Sequence, residues 1–164
     1  MSILSEMKVL EIETQVFQNL VVFKKEIANP LLMKKEMDKL IKRLGKYGHK
    51  HCHKVITKVI ERNEEKKTIT LQIMVLIEDA TNIKAFLDVY DQYTFVYKYI
   101  LKDSICISIS NNMEDFRRAV GKFVEYADAL TVNELDFKKN HIIEIAKVDM
   151  NGTVIGFDLY MEKI

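Results

Sequence analysis

The sequence predicts an α+β domain built from two β-α-β-β units in tandem, and three observations carry that prediction. Residues 68–78 alternate perfectly between two faces, two apolar stripes at helical spacing follow asparagine caps, and short polar turns separate the extended runs. Strands joined by hairpin turns favour a largely antiparallel sheet, with two helices on one face and a groove on the other.

In the first unit, LVVFKKEI (20–27) is an apolar, β-branched run that reads as a strand. Asn29 is a capping residue, and Pro30 has the fixed φ that suits the first helical position. Met33, Met37, Leu40, Ile41 and Leu44 then recur at helical spacing, with Lys34, Lys35, Lys42 and Arg43 off the stripe. Gly45 and Gly48 are the stop signals. A strand over 53–62 and a polar turn over 63–67 lead into TITLQIMVLIE. There Ile69, Leu71, Ile73, Val75 and Ile77 make one apolar face, and Thr68, Thr70, Gln72, Met74 and Leu76 make the other.

A connector with short helical character (82–90) precedes the second unit. Residues 94–101 place Phe95, Tyr97 and Tyr99 on one side of a strand, and Lys102-Asp103 turns the chain into SICISIS. Asn111 and Asn112 cap a second helix, whose first turn holds Glu114 and Asp115 as the helix dipole prefers. Its stripe is Phe116, Ala119, Val120, Phe123, Ala127 and Leu130. Strands over 142–148 and 154–161 close the chain around Met150-Asn151-Gly152, a good hairpin turn. One domain over 1–164 is expected: an N-terminal extension (1–18), the first unit (19–78), the connector (79–93) and the second unit (94–164).

Composition narrows the class of protein. With 48% hydrophobic residues and only five glycines and one proline, the chain is neither disordered nor fibrous. Two cysteines, Cys52 and Cys106, are too few for a disulfide scaffold and fit a reducing compartment. No apolar run is long enough for a signal peptide or a membrane span, so a cytoplasmic location with no membrane partner is expected. The net charge of +1 makes nucleic acid an unlikely partner. The distribution is uneven, however: residues 24–67 hold fourteen Lys or Arg against six Asp or Glu. A solvated, lysine-rich helix face accounts for that excess, and an acidic partner surface is the alternative.

Two stretches resemble the gyrase-inhibitor-like (GyrI-like) effector-binding family. FVYKYILKDSICISISNNMEDFRRAVGKFVEYADAL resembles its strand, turn, strand and second helix, and IIEIAKVDMNGTVIGFDLYMEKI resembles its closing hairpin. The likeness covers residues 19–164 and is greatest to small single-domain members from Gram-positive bacteria. It implies a binding domain for an amphipathic or cationic small molecule, with a pocket carboxylate at Glu144. Two positions depart from the pattern. Ser110-Asn111-Asn112 replaces the usual His-x-Gly, and Ala146 replaces a tyrosine two residues after the carboxylate. A protein-interaction module is the alternative reading, and a hydrolase of reactive small molecules a third.

Glu144 stands out from the residues alone, because it sits in an otherwise apolar strand, HIIEIAKV. A carboxylate among apolar groups costs several kcal/mol unless it is paired, protonated or offered to a cation. Tyr97, Tyr99 and Tyr160 are candidate walls for a cation–π site. The opposing reading is an edge position with Glu144 paired to Lys147 or Lys98. His49, His51 and His53 alternate and could share a zinc ion, but flanking lysines and the lack of a further ligand cluster argue for an exposed polar turn. No metal or other cofactor is expected. Cys106 has no basic neighbour in sequence and reads as an inert buried thiol.

Overall fold

A computed structural model describes residues 8–29, 31–129, 142–151 and 153–163. Its strands are β1 (Leu10–Ile12), β2 (Gln15–Ile27), β3 (His51–Asn63), β4 (Thr68–Ile77), β5 (Thr94–Leu101), β6 (Ser104–Ile109), β7 (Ile143–Val148) and β8 (Val154–Glu162). The helices are α1 (Leu31–Lys46), α2 (Ile83–Val89) and α3 (Met113–Ala129). All strand pairs are antiparallel, and the sheet order is β1-β6-β8-β7-β3-β4-β2-β5. The α+β class and the antiparallel sheet are therefore as the sequence predicts.

The tandem repetition is visible in that order. Outward from the central pair, one half runs β3-β4-β2 and the other β7-β8-β6. Each half then lends an edge strand to the other, because β5 pairs with β2 and β1 pairs with β6. One register runs through both pairs, with Ile12 facing Ser104 and Gln15 facing Leu101. Thr14 fixes the bend between them: its N–H and its hydroxyl both donate to Asp103 Oδ1 at 2.7 Å. Nearby, the Lys163 N–H donates to the Asp103 carbonyl at 2.8 Å.

Residues 10–18 thus belong to the sheet and are not an extension. Two features conceal this in the sequence. Glu11, Glu13 and Thr14 break the apolar run, and Asn19 adopts φ 61°, so Phe17 and Leu20 face the same side although three residues apart.

Each helix forms where its stripe and caps agree. Met37, Leu40 and Leu44 of α1 are buried on Val21, Phe23, Val55, Ile73 and Val75. Burial of each such side chain is worth about 1.5–3 kcal/mol. Gly45 lies inside the helix, and Gly48 is the residue that ends it. Gly48 takes φ 79°, which only glycine adopts without strain, and lets the His49 N–H donate back to the Leu44 carbonyl at 2.9 Å. A 2.6 Å ion pair between Lys25 and Glu36 ties α1 to β2. For α3, the Asn112 side chain accepts from the Asp115 N–H at 2.7 Å, the cap that the sequence predicts. Ala119 and Phe123 bury against Ile105, Ile107, Leu159 and Met161.

Phe157 packs against both helix-covered clusters, so α1 and α3 lie on one face. The other face carries a third cluster, with Phe17, Leu20, Val22, Ile56, Met74, Leu76, Leu101, Ile143, Ile145 and Tyr160 all buried. No helix among the described residues contributes to that cluster. Its members come from seven strands, and the Gln15 side chain of β2 reaches the Tyr160 hydroxyl of β8. The sheet therefore curls toward this side, and the helix-free face becomes a packed interior. Leu130 and Gly152 lie outside the described residues.

Candidate functional site

The central strands β3 and β7 join the two halves, and Glu144 lies on β7 directly opposite Thr57 of β3 and Leu159 of β8. Residues opposite each other in a ladder share a face. Leu159 belongs to the α3 cluster, and Ala146, two residues on, belongs to the α1 cluster. Glu144 therefore points to the helix-bearing side, where the two helix-covered cores meet. Thr57 beside it is a buried hydroxyl residue on the same side.

Glu144 is half-buried, and no described residue offers it a hydrogen bond or an opposite charge. Burial pushes its carboxyl above the usual carboxylate range, with desolvation the sole cause. The expected partner Lys147 is elsewhere. It is three positions along an alternating strand, hence on the other face, where it forms a 2.9 Å ion pair with Asp158.

The structure does not bring the candidate tyrosines to Glu144. Tyr160 and Tyr99 belong to the helix-free cluster, and burial raises both hydroxyls to about 12. Tyr160 lies opposite Cys106 and Ile143, whose neighbour Glu144 faces away. Tyr97, on the edge strand β5, is 64% exposed. The groove expected opposite the helices is thus occupied by packed side chains, and the carboxylate lies on the helix side. Tertiary curl, which period-two alternation does not encode, is the reason.

Of the three histidines, His49 separates from the other two. His49 is buried at the end of α1, with Nδ1 3.1 Å from the Asp79 carbonyl and its ring edge-on to Phe86. His53 adopts φ 61° at a bulge in β3 and places Nδ1 3.1 Å from the Val148 carbonyl. His51 and His53 have ring centroids 5.0 Å apart, and burial holds the His51 imidazole below its usual range. Among the described residues, no group of three or more His, Cys, Asp or Glu is placed to hold a metal ion. Cys106 is buried, and its thiol is raised to about 11 by desolvation.

Sequence reasoning missed Thr57 and the Ser108–Asp158–Lys147 chain, in which the Ser108 hydroxyl donates to Asp158 at 2.6 Å. Parity along HIIEIAKV could have shown that Glu144 and Lys147 face opposite ways. Nothing local signals that Ser108 lies opposite Asp158, since their pairing spans fifty residues.

No family model and no curated protein matches the chain. Solved structures do share its fold. A chain from the cryo-EM structure of the EcmrR–DNA complex in EcmrR-RPo superposes with a TM-score of 0.62 at 9% identity, covering 97% of this chain. The present chain spans 58% of that one. A hydrolase from Listeria innocua superposes with a TM-score of 0.56 at 8% identity, covering 96% of this chain and 92% of the other. No described helix is long and apolar enough to cross a membrane.

Proposed function

We propose that this chain is a GyrI-like binding domain that captures an amphipathic cation at Glu144, without transforming it. The observation that carries the reading is a half-buried carboxylate with no partner among the described residues, at the junction of two packed halves. Such a group is poised to gain from an incoming cation. Binding supplies the counter-charge that no described residue provides, and the raised carboxyl ionises as the cation arrives. The apolar surroundings on that side are Ala146, Leu159 and Phe157, and the tyrosines have no part in it. A solved structure of similar fold comes from a DNA complex and another from a hydrolase; both are compatible with a shared scaffold serving different chemistry.

The test is a thermal shift with tetraphenylphosphonium against neutral triphenylphosphine oxide, on wild type and Glu144→Gln. At a hundredfold excess over Kd, binding to the native state adds about 2.7 kcal/mol. The cation should shift the wild type and leave Glu144→Gln unmoved. Equal shifts in both proteins refute the assignment. Turnover of an electrophilic compound by wild type and not by Glu144→Gln would overturn the non-catalytic reading.

A protein-interaction module is the second reading. Val16 and Ile100, a cross-strand pair 50% and 48% exposed, stand with Tyr97 at the open β5 edge, which favours a macromolecular partner there.

A further inference from the structure

On the opposite side of the sheet from Glu144, two lysines face each other directly. Lys54 of β3 and Lys147 of β7 are register partners, which places their Cβ atoms about 4.5–5.5 Å apart. Like charges in that relation are destabilising unless something compensates them. Lys147 has Asp158 at 2.9 Å, and Asp158 is further held by the Ser108 hydroxyl. Lys54 has no carboxylate among the described residues. Its ammonium lies 5.9 Å from the Phe17 ring centroid, so the side chain leans over that aromatic face.

Two more lysines share this side. Lys58 lies four residues along β3 from Lys54, and Lys24 is separated from it only by Gln72 of β4. Two of the acids on the same side accept hydrogen bonds: Glu26 from the Thr68 hydroxyl at 3.1 Å and Glu162 from the Lys102 N–H at 2.9 Å. The like-charge pair itself is what stands out: Lys54 and Lys147 face each other across the central strands, the one leaning on Phe17 and the other held by Asp158.

We propose that this face binds a small multivalent oxyanion, a phosphate-bearing group, between Lys54 and Lys147. Two ammonium groups converging on one ligand give charge-assisted hydrogen bonds that a solitary surface lysine does not. The site is independent of Glu144, which faces the other way.

Inorganic pyrophosphate is the probe, titrated into the full chain by calorimetry at constant ionic strength. Saturable binding is expected, weakened about tenfold by Lys54→Gln and by Lys147→Gln, the loss of one charge-assisted contact. A Lys35→Gln/Lys39→Gln protein loses two charges from the exposed face of α1 and should bind as wild type. Asp158→Asn releases Lys147 and should tighten binding severalfold. No saturable heat with wild type overturns the proposal, as does an α1 double variant that weakens binding as much as Lys54→Gln. Weaker binding by Asp158→Asn also overturns it. Lys54 forms no ion pair among the described residues, so Lys54→Gln keeps the test decisive even if Lys147→Gln folds poorly.

Discussion

Replacing Glu144 by glutamine should stabilise the unliganded protein at neutral pH, although it removes a charged residue from the candidate site. The carboxylate is partly withdrawn from water and receives no hydrogen bond or cation in return from any described residue. Glutamine keeps the cost of a buried neutral polar group and removes only that of the charge, on the order of 1 kcal/mol for a modestly raised carboxyl. For a chain of this length that corresponds to a rise in Tm of about 2–4 °C. The sign of the pH dependence follows from the raised carboxyl. Well below its ordinary value of 4.5, Glu144 is neutral in both folded and unfolded chains, and the two proteins should be equally stable. As pH rises through the interval between 4.5 and the raised folded value, the unfolded chain ionises first, and wild-type stability falls. Above that interval the whole penalty is present. Calorimetric melts of both proteins from pH 4 to pH 8 would show the curves diverging upward in pH. A Glu144→Gln protein less stable than wild type at pH 8 would falsify the reasoning, because it would mean that the carboxylate is already stabilised by the fold.

Further predictions follow from the corner, the core and the thiols. Asp103 is held below its usual range by hydrogen bonds from Thr14, so its contribution is present above the unfolded value and lost as pH falls through the folded one. Asp103→Asn should therefore flatten the acid limb of a stability–pH curve, measured by urea melts; an unchanged limb contradicts the role of the Thr14 contact. Leu40→Ala, at a fully buried position of α1, should cost about 2–5 kcal/mol in the urea midpoint analysis. A loss below 1 kcal/mol would mean that α1 is not seated on the sheet as described. Cys106, with its thiol raised to about 11, should resist iodoacetamide at pH 7.5 in the folded protein and react in urea, which mass spectrometry reads directly. Rapid labelling of the native thiol contradicts its burial.

Most elements were legible from local chemistry. The alternation of residues 68–78 specified β4, and the stripe Met33–Leu44 with Gly48 specified α1 and its end. Asn112, Glu114 and Asp115 marked the start of α3. In each case propensity, pattern and cap agreed. What remained hidden was non-local. The pairing of β1 with β6 and of β5 with β2 depends on a bend at Thr14 and Asp103, residues eighty-nine positions apart. The positive φ at Asn19 and the bulge at His53 shift strand parity, so a period-two reading carries the wrong face beyond them.

The candidate site was half legible for the same reasons. A lone carboxylate in an apolar strand marks Glu144 as a residue at odds with its surroundings, because its cost is a property of the residue and its neighbours. Its walls were not readable. Tyr99 and Tyr160 alternate plausibly on their own strands, yet the face they share is set by cross-strand register and by the curl of the sheet. Backbone geometry divides the histidine run: helix-end placement turns His49 toward Asp79, and positive φ turns His53 toward Val148.

Calorimetric titration of tetraphenylphosphonium into wild type and Glu144→Gln, at pH values below and above the raised carboxyl range, tests the central claim most directly. Wild-type affinity should increase with pH as Glu144 ionises, and Glu144→Gln should bind at least tenfold more weakly with no such dependence. Equal affinities for the two proteins, or wild-type binding that ignores pH, would contradict the assignment of Glu144 as the cation-binding carboxylate.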